Sequence, residues 1–281
     1  HDVATGAAKP YGILTIISTM AWGLGYFGMP HILLRFMAIK DEKKLVISRR
    51  IATIWVFIAM SVAIFIGVVG LAMTKAGELE VLEGSASETV IVKIAGLISQ
   101  HGILPAIVAG LILAGILAAT MSTADSQMLA AASSVSQNIV QEFFKVKLDE
   151  KKSLLIARIT IVLISLIGVF LARDPNSSVF GIVSFAWAGF GGAFGAVTLC
   201  ALFWKRSTRW GALAGMIGGG ATVFIWKYAV RPLGGIWNIY ELLPAFLVSL
   251  LLIVVVSLLT KAPDEAIQKE FEEAKAKKAA E

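Results

Sequence analysis

Long apolar stretches separated by charged connectors recur along the whole chain. Each stretch has about 18 residues or more, enough for a helix to cross the hydrocarbon core of a bilayer. The pattern predicts a transmembrane domain at residues 1–260 and a charged cytoplasmic tail at 261–281. The predicted spans are residues 11–28, 51–74, 103–135, 155–172, 177–204, 210–229 and 243–260. Between the second and third spans, the short apolar segment ETVIVKIAGLISQ is predicted to form a surface helix.

The composition supports this interpretation. Hydrophobic residues make up 57% of the 281 residues and charged residues 16%, whereas a soluble domain holds roughly 25% charged residues. Transmembrane barrels are built from short segments of alternating polarity, and we find no series of them in the sequence. The fold class is therefore predicted to be an all-α polytopic membrane protein.

Lysine and arginine are distributed unevenly among the connectors. Most of the 25 lie in the loop 31–50, in the connector after the third span, in the turn 205–209 and in the tail from Lys261. Cytoplasmic loops are enriched in these residues, so we expect an external N-terminus and a cytoplasmic C-terminus. The formal net charge of +6 is then an orientation signal, and no nucleic-acid partner is predicted.

The third predicted span ends in a patch of oxygen atoms. The charge-free run ILPAIVAGLILAGILAA at 103–119 leads into the hydroxyl-rich segment ATMSTADSQ at 119–127. Residues four positions apart share a helix face, and small residues on such a face let another backbone approach closely. Two neighbouring rows of small residues occur here: Gly110, Ala114, Ala118 and Ser122, and Gly115, Ala119 and Thr123.

Two interpretations of these hydroxyl groups remain open from the spacing alone. The first is helix packing, with each hydroxyl bonded to the carbonyl four residues earlier. The second is an ion site made by the Ala119 carbonyl and the hydroxyls of Ser122 and Thr123. Neutral oxygens suit a hard, weakly bound monovalent cation, and transporters bind coupling ions near the middle of the bilayer.

Asp125 is the one acid in the hydroxyl-rich segment. Acidic side chains within a membrane are costly and usually face water or a partner. We interpret Asp125 as lying in a wetted vestibule near the cytoplasmic end, on an ion exit path, in preference to direct ion ligation.

The first predicted span contains a helix-breaking segment, AWGLGYFGMPHI at 21–32. Glycine lowers helix stability and proline removes a backbone donor, and unpaired backbone in a membrane must line a cavity or be covered by protein. Trp22, Tyr26 and Pro30 are four residues apart and share a face. Trp22 and Tyr26 could belong to an aromatic belt at the membrane–water interface. The interrupted helix favours the other interpretation, in which they form the wall of a substrate cavity.

Three long motifs resemble the sodium/solute symporter family. They are AWGLGYFGMPHILLRFMAIKD, LAGILAATMSTADSQMLAAASSV and SFAWAGFGGAFGAVTLCALFWKRSTRWGALAGMIGG, and the resemblance extends over about residues 11–260. It is closest to the members that carry proline. It implies a leucine-transporter-like fold of inverted repeats, of which this chain would be the C-terminal fragment with the last seven of thirteen helices.

The resemblance also implies site residues. The Ser-Thr pair of the family's sodium motif corresponds to Ser122 and Thr123, and a carbonyl four residues before the second hydroxyl corresponds to Ala119. The Trp, Tyr and Pro that the family links to substrate binding and access correspond to Trp22, Tyr26 and Pro30. Met29 stands where the family usually has Gln, so an amide beside the substrate site is lost.

The expected function is sodium-coupled symport of a small amino acid, L-proline, across the plasma (inner) membrane. Sodium is expected as the coupling ion, proline and the lipid bilayer as partners, and no cofactor or enzymatic activity is predicted. The sequence shows no Walker-type loop, zinc-ligand spacing or paired acids. The alternatives are a sodium symporter of another small solute, such as pantothenate or a monocarboxylate, and a membrane sensor module of the same fold.

A row of glycines, Gly211, Gly215 and Gly219, is predicted to allow close packing of one span against another helix.

Overall fold

The computed structural model describes residues 12–174 and 177–279, and within these ranges all regular elements are helical. The predicted all-α class is confirmed. The α-helices are α1 (Ile13–Met20), α2 (Trp22–Gly25), α3 (Pro30–Met37), α4 (Lys44–Lys75), α5 (Val90–Ser99), α6 (Ile103–Ser133), α7 (Glu150–Leu171), α8 (Val179–Phe190), α9 (Ala196–Phe203), α10 (Arg209–Ile225), α11 (Leu242–Leu259) and α12 (Glu265–Ala279). Three π-helical segments, Ser134–Phe143, Gly191–Gly195 and Trp226–Val230, continue α6, α8 and α10.

Six helical runs among the described residues are long and apolar enough to cross a membrane, or seven if the bent first run counts as one span. The helices extend beyond the stretches of highest hydropathy. For example, α4 begins at Lys44 instead of residue 51, and the run from Ile103 continues to Phe143 instead of ending at 135. Hydropathy marks the part of a helix that suits lipid, whereas a helix ends where its backbone is interrupted, and residues 116–143 include no Gly or Pro. Residue 11, the predicted start of the first span, lies outside the described residues.

The predicted interruption of the first span is confirmed. A 3₁₀ turn (Tyr26–Gly28) follows α2, Met29 is extended with φ −86° and ψ 112°, and α3 begins at Pro30. The helical segments on either side of Met29 are bent by 53°. Proline is well suited to the first turn of a helix, where its missing N–H has no intrahelical partner to lose.

The chain divides into two compact units, His1–Leu33 with Ile182–Glu281, and Leu34–Gly181. In the described part of the first unit, buried side chains form two hydrophobic clusters. One consists of Ala188, Val223, Leu242 and Ala245, and the other of Ala196, Cys200, Phe246 and Ile253. Both clusters use side chains of α11 together with the helical run that starts at Val179.

Helices α10 and α11 pack closely through the glycine row of α10. Gly211, Gly215 and Gly219 are all buried. A Cβ added at Gly215 would meet the side chain of Ile253, and one added at Gly219 would lie 2.8 Å from the Cβ of Ser249. The predicted close packing is therefore confirmed, because these positions have no room for a side chain.

The second unit contains the long helices α4, α6 and α7. Their apolar side chains are largely exposed, as at Trp55 and Phe65. A helix that is apolar all round and still exposed is typical of a membrane span. The segment predicted to be a surface helix forms α5, which at 10 residues is too short to span a bilayer, and its Val90 packs against Gly70 of α4.

Glu88 fixes the start of α8 within the second unit. Its carboxylate accepts hydrogen bonds from the Ser178 hydroxyl at 2.7 Å and from the backbone amides of Val179 at 3.0 Å and Phe180 at 3.3 Å. The first amides of a helix lack intrahelical acceptors and favour a negative charge. Glu88 therefore caps the start of α8 from a distant loop, in addition to the local cap made by the Ser178 hydroxyl, which accepts a hydrogen bond of 3.0 Å from the Gly181 amide.

Candidate functional site

Four aromatic rings meet at the interrupted helix, all within the first unit. The rings of Trp22 and Trp187 stack with centroids 5.3 Å apart and planes at 14°. The ring of Tyr240 lies 6.0 Å from that of Trp22 at 17°. Tyr26 meets Trp187 edge-on at 4.8 Å and 83°. We call these four residues the aromatic cluster.

Glycine allows the aromatic cluster to form. The backbone of Gly25 lies against the indole of Trp187, and a Cβ at residue 25 would overlap that ring. The Trp187 indole N–H donates a hydrogen bond of 3.0 Å to the carbonyl of Trp22. The single helical turn of α2 is thereby held against the α8 segment by a ring contact and a backbone hydrogen bond.

The aromatic cluster is only partly enclosed. Trp22 and Trp187 are half-buried, whereas Tyr26 is 49% exposed. The described residues thus leave about half of the Tyr26 side chain accessible on one side of the cluster. Aromatic faces with a polar group nearby are typical of sites that bind small molecules.

Pro30 is placed differently from Trp22 and Tyr26. It lies beyond the bend, at the first position of α3, and is exposed. The shared face predicted for all three residues assumes a continuous helix, which the extended Met29 interrupts. Met29 itself is 6% exposed, so its thioether occupies the break as a packed apolar side chain.

Trp187 and Tyr240 were not identified by the sequence analysis. Trp187 lies in the glycine-rich motif SFAWAGFGG, where a large aromatic next to small residues is a usable signal. Tyr240 lies in a connector and carries no comparable signal. Both are far from Trp22 along the chain, so only the tertiary structure brings them together.

The hydroxyl-rich segment of α6 lies in the second unit. The Thr123 hydroxyl donates to the Ala119 carbonyl at 3.2 Å, and the Ser126 hydroxyl donates to the Ser122 carbonyl at 3.0 Å. Ala119, Ser122 and Thr123 are all exposed. The structure therefore has a hydrogen bond between the Thr123 hydroxyl and the Ala119 carbonyl that both interpretations of this segment predict, on a surface that the described residues leave open.

The small-residue face of α6 is also open among the described residues. A Cβ added at Gly110 or at Gly115 would meet nothing within 4 Å. Asp125 is exposed on the same helix. The neighbouring Ser126 hydroxyl accepts a hydrogen bond of 3.4 Å from the Arg35 guanidinium, so a cationic group lies close to this end of the segment.

Among the described residues, no group of three or more His, Cys, Asp or Glu side chains could hold a metal ion. The oxygens of Ala119, Ser122 and Thr123 are a carbonyl and two hydroxyls, and these suit alkali ions better than transition metals.

Comparison with known proteins identifies related sequences. The sequence profile of the Sodium:solute symporter family matches residues 5–219. The chain is 38% identical over 270 residues to the Osmoregulated proline transporter OpuE of Bacillus subtilis, which covers 96% of this chain and 52% of that protein. It is 40% identical over 271 residues to the Sodium/proline symporter of Escherichia coli, covering 95% of this chain and 52% of the relative.

A third relative, the High-affinity proline transporter PutP of Bacillus subtilis, is 39% identical over 264 residues, covering 94% of this chain and 53% of its own length. The chain spans about half the length of the curated relatives it matches. No solved structure gives a significant match to the chain.

Proposed function

This chain belongs to the sodium:solute symporter family, and we propose that it carries out sodium-coupled symport of L-proline. The observation that carries the proposal is the similarity to proteins named as proline transporters, at 38–40% identity over nearly the whole chain. Six or seven candidate spans among the described residues indicate a multi-pass membrane protein. In this proposal the sodium gradient drives uptake, and no covalent chemistry takes place.

The proposed sodium ligands are the Ala119 carbonyl and the hydroxyls of Ser122 and Thr123. At a separation of 3.2 Å, the oxygens of Ala119 and Thr123 can both contact one ion. The Thr123 hydroxyl hydrogen then turns away from the carbonyl, which leaves lone pairs of both atoms for the cation. Uncharged ligands hold an alkali ion weakly. Weak binding is required because the site must also release its ion.

The proposed substrate surface is the exposed side of the aromatic cluster, with Trp22 and Tyr26 as the contacting residues. The pyrrolidine ring of proline offers an apolar face for the aromatic rings, and its secondary ammonium is a cation that such rings attract. Pro30 serves access in this proposal, because it starts the helix beyond the break and keeps Met29 extended.

We further propose an external N-terminus and a cytoplasmic C-terminus in the plasma (inner) membrane, following the distribution of basic residues. Asp125 then lies towards the cytoplasmic end of α6 on the ion exit path. The proposed fold is that of inverted-repeat transporters, in which substrate and ion exit by alternating access once both are bound.

The deciding experiment is uptake of radiolabelled proline by membrane vesicles that contain the protein, with sodium or choline outside. We expect uptake to depend on sodium and to be competed by unlabelled proline but not by pantothenate or a monocarboxylate. Equal uptake in sodium and choline would refute the coupling. Absence of proline uptake, together with sodium-dependent uptake of labelled pantothenate or a labelled monocarboxylate, would show that the substrate is different. Met29, at the position where the family usually has Gln, makes this comparison informative.

A further inference from the structure

An ion pair between a half-exposed arginine and a buried glutamate links the two ends of the connector between α10 and α11 in the first unit. Glu241 is 1% exposed, and among the described residues it is the one buried carboxylate. Its Oε2 accepts a hydrogen bond of 2.9 Å from Nη1 of Arg231, whose side chain is 42% exposed. The Nε of Arg231 donates to the side-chain oxygen of Asn238 at 3.1 Å, so the guanidinium is held at two points.

The pairing matters because a buried charge without a partner is strongly unfavourable. Arg231 therefore keeps Glu241 in place at the residue before α11. A matched reference pair is present elsewhere in the chain. Lys205 and Glu272 are also 2.9 Å apart, but their side chains are 57% and 51% exposed, and an exposed pair contributes little.

Tyr240, the residue before Glu241, joins the α10–α11 connector to the aromatic cluster. Its backbone N–H donates to the Ser18 hydroxyl of α1 at 2.7 Å. Its hydroxyl donates to the Ser184 carbonyl of α8 at 2.6 Å, and its ring stacks on Trp22. Burial, together with the negative charge of Glu241, raises the pKa of Tyr240, so the phenol remains a neutral donor.

We propose that Tyr240, held by the Arg231–Glu241 ion pair, is a positioning residue that sets the orientation of Trp22 and thereby the affinity for substrate. The Tyr240 hydroxyl is already bonded to the Ser184 carbonyl, so the residue acts through its ring on Trp22. This inference rests on the proposed function, since it assigns the aromatic cluster to substrate binding. It adds that the connector 231–241 controls this binding surface.

The test is the concentration dependence of sodium-driven proline uptake in vesicles for wild type and three variants. Tyr240→Leu, which removes the ring, should raise KM about tenfold with kcat within about twofold of wild type. Tyr240→Phe keeps the ring and should raise KM less than about threefold. Glu241→Gln should raise KM with little change in kcat, whereas its control, Glu272→Gln, should leave both constants unchanged.

A double-mutant cycle separates positioning from a general structural role. If Tyr240 acts through Trp22, Tyr240→Leu should change KM far less in a Trp22→Phe background than in wild type, because residues that act as a unit are non-additive. Additive effects, or a loss of kcat with KM unchanged in Tyr240→Leu, would overturn the proposal. If Tyr240→Leu does not accumulate in the membrane, Glu241→Gln decides, and an unchanged KM in that variant rejects the inference.

Near-ultraviolet circular dichroism of the purified protein tests the orientation of Trp22 without relying on transport activity. Tyr240→Leu should change the tryptophan signal, whereas Tyr228→Leu, at a tyrosine that is 66% exposed, should change it much less. An unchanged tryptophan signal in Tyr240→Leu refutes the positioning role even when uptake is sodium-dependent. Wild-type protein without sodium-dependent uptake refutes the proposed function, and the spectra then still decide whether Tyr240 orients Trp22.

Discussion

Gly25 lies against the indole of Trp187 so closely that the glycine cannot be replaced without moving the ring. Gly23, two positions earlier, has free space instead, with nothing within 4 Å of an added Cβ. The two glycines belong to the same short helix, α2. They therefore provide a matched pair for testing whether the aromatic cluster depends on this contact.

We predict that Gly25→Ala destabilises the protein by about 1–3 kcal/mol, because the added methyl overpacks the contact. The same variant should raise the KM for proline, since Trp187 supports Trp22. Gly23→Ala should be neutral or stabilise by up to about 1 kcal/mol, because alanine favours a helix over glycine. Thermal unfolding of the purified protein and uptake kinetics measure the two effects, and equal behaviour of the two variants would contradict the described packing.

A second prediction concerns the α10–α11 contact. Gly219→Ala should lower stability by about 1–3 kcal/mol, because the new Cβ would meet the backbone of Gly192 and the Ser249 side chain. Gly220→Ala, at the next residue, should have little effect, since its nearest neighbour would be the Ala193 Cβ at an ordinary 3.8 Å. The measurement is the denaturation midpoint of each variant in detergent. A loss of stability in Gly220→Ala equal to that in Gly219→Ala would mean that the two helices do not pack through the glycine row.

A third prediction tests the proposed sodium ligands. Thr123→Val preserves the shape of the side chain but removes the hydroxyl, and we expect the apparent sodium affinity of uptake to fall by at least about tenfold, or ~1.4 kcal/mol. Thr123→Ser keeps an oxygen and should retain most of the affinity.

The control is Thr160→Val in α7. The Thr160 hydroxyl donates to the Ile156 carbonyl at 2.9 Å, so this variant loses the same kind of hydrogen bond without touching the proposed site. A sodium affinity that drops equally in Thr123→Val and Thr160→Val would indicate a general effect on helix geometry. No drop in Thr123→Val would place the ion elsewhere.

A fourth prediction concerns pH and the cap of α8. The Ser178 hydroxyl, followed by the amides of Phe180 and Val179, holds the pKa of Glu88 below its usual range. Because the folded-state pKa is the lower one, the cap stabilises fully above the ordinary glutamate value of about 4.3. Its contribution is lost as the pH falls through the lower folded-state pKa.

Wild type should therefore lose stability on acidification to about pH 3 more steeply than Glu88→Gln, which cannot titrate at this position. At neutral pH, Glu88→Gln should be less stable than wild type, because its neutral amide interacts less favourably with the start of α8. Glu83→Gln, at an exposed glutamate of the same acidic loop, should keep the wild-type slope. Parallel acid-unfolding curves for wild type and Glu88→Gln would show that the cap is not coupled to stability.

Structural features that depend on neighbouring residues in the sequence were predicted well. The break at Met29 follows from glycines and a proline that disfavour a helix wherever they occur, and the Thr123–Ala119 contact follows from the four-residue spacing of a helix. The role of Glu88 was not predictable. Its partners Ser178 and Phe180 lie about 90 positions away, and an exposed glutamate in an acidic loop has no distinguishing pattern.

Two rows of small residues with the same four-residue spacing have different outcomes in the described structure. On α10, Gly215 is buried against Ile253 of α11, whereas on α6, Gly110 faces open space. The spacing indicates that another helix backbone can approach this face closely, but it does not identify which helix packs there. That choice depends on how the helices are arranged.

Stretches of contiguous residues were enough to predict the helical class, the long apolar segments, the interrupted first span and the family, because apolar length, helix-breaking residues and long collinear motifs are local properties of the chain. The packing of the helices, by contrast, brings Trp187 and Tyr240 to Trp22 and buries Glu241 against Arg231. Stacking and burial depend on distances between segments far apart in the chain, and these distances exist only once the helices have packed.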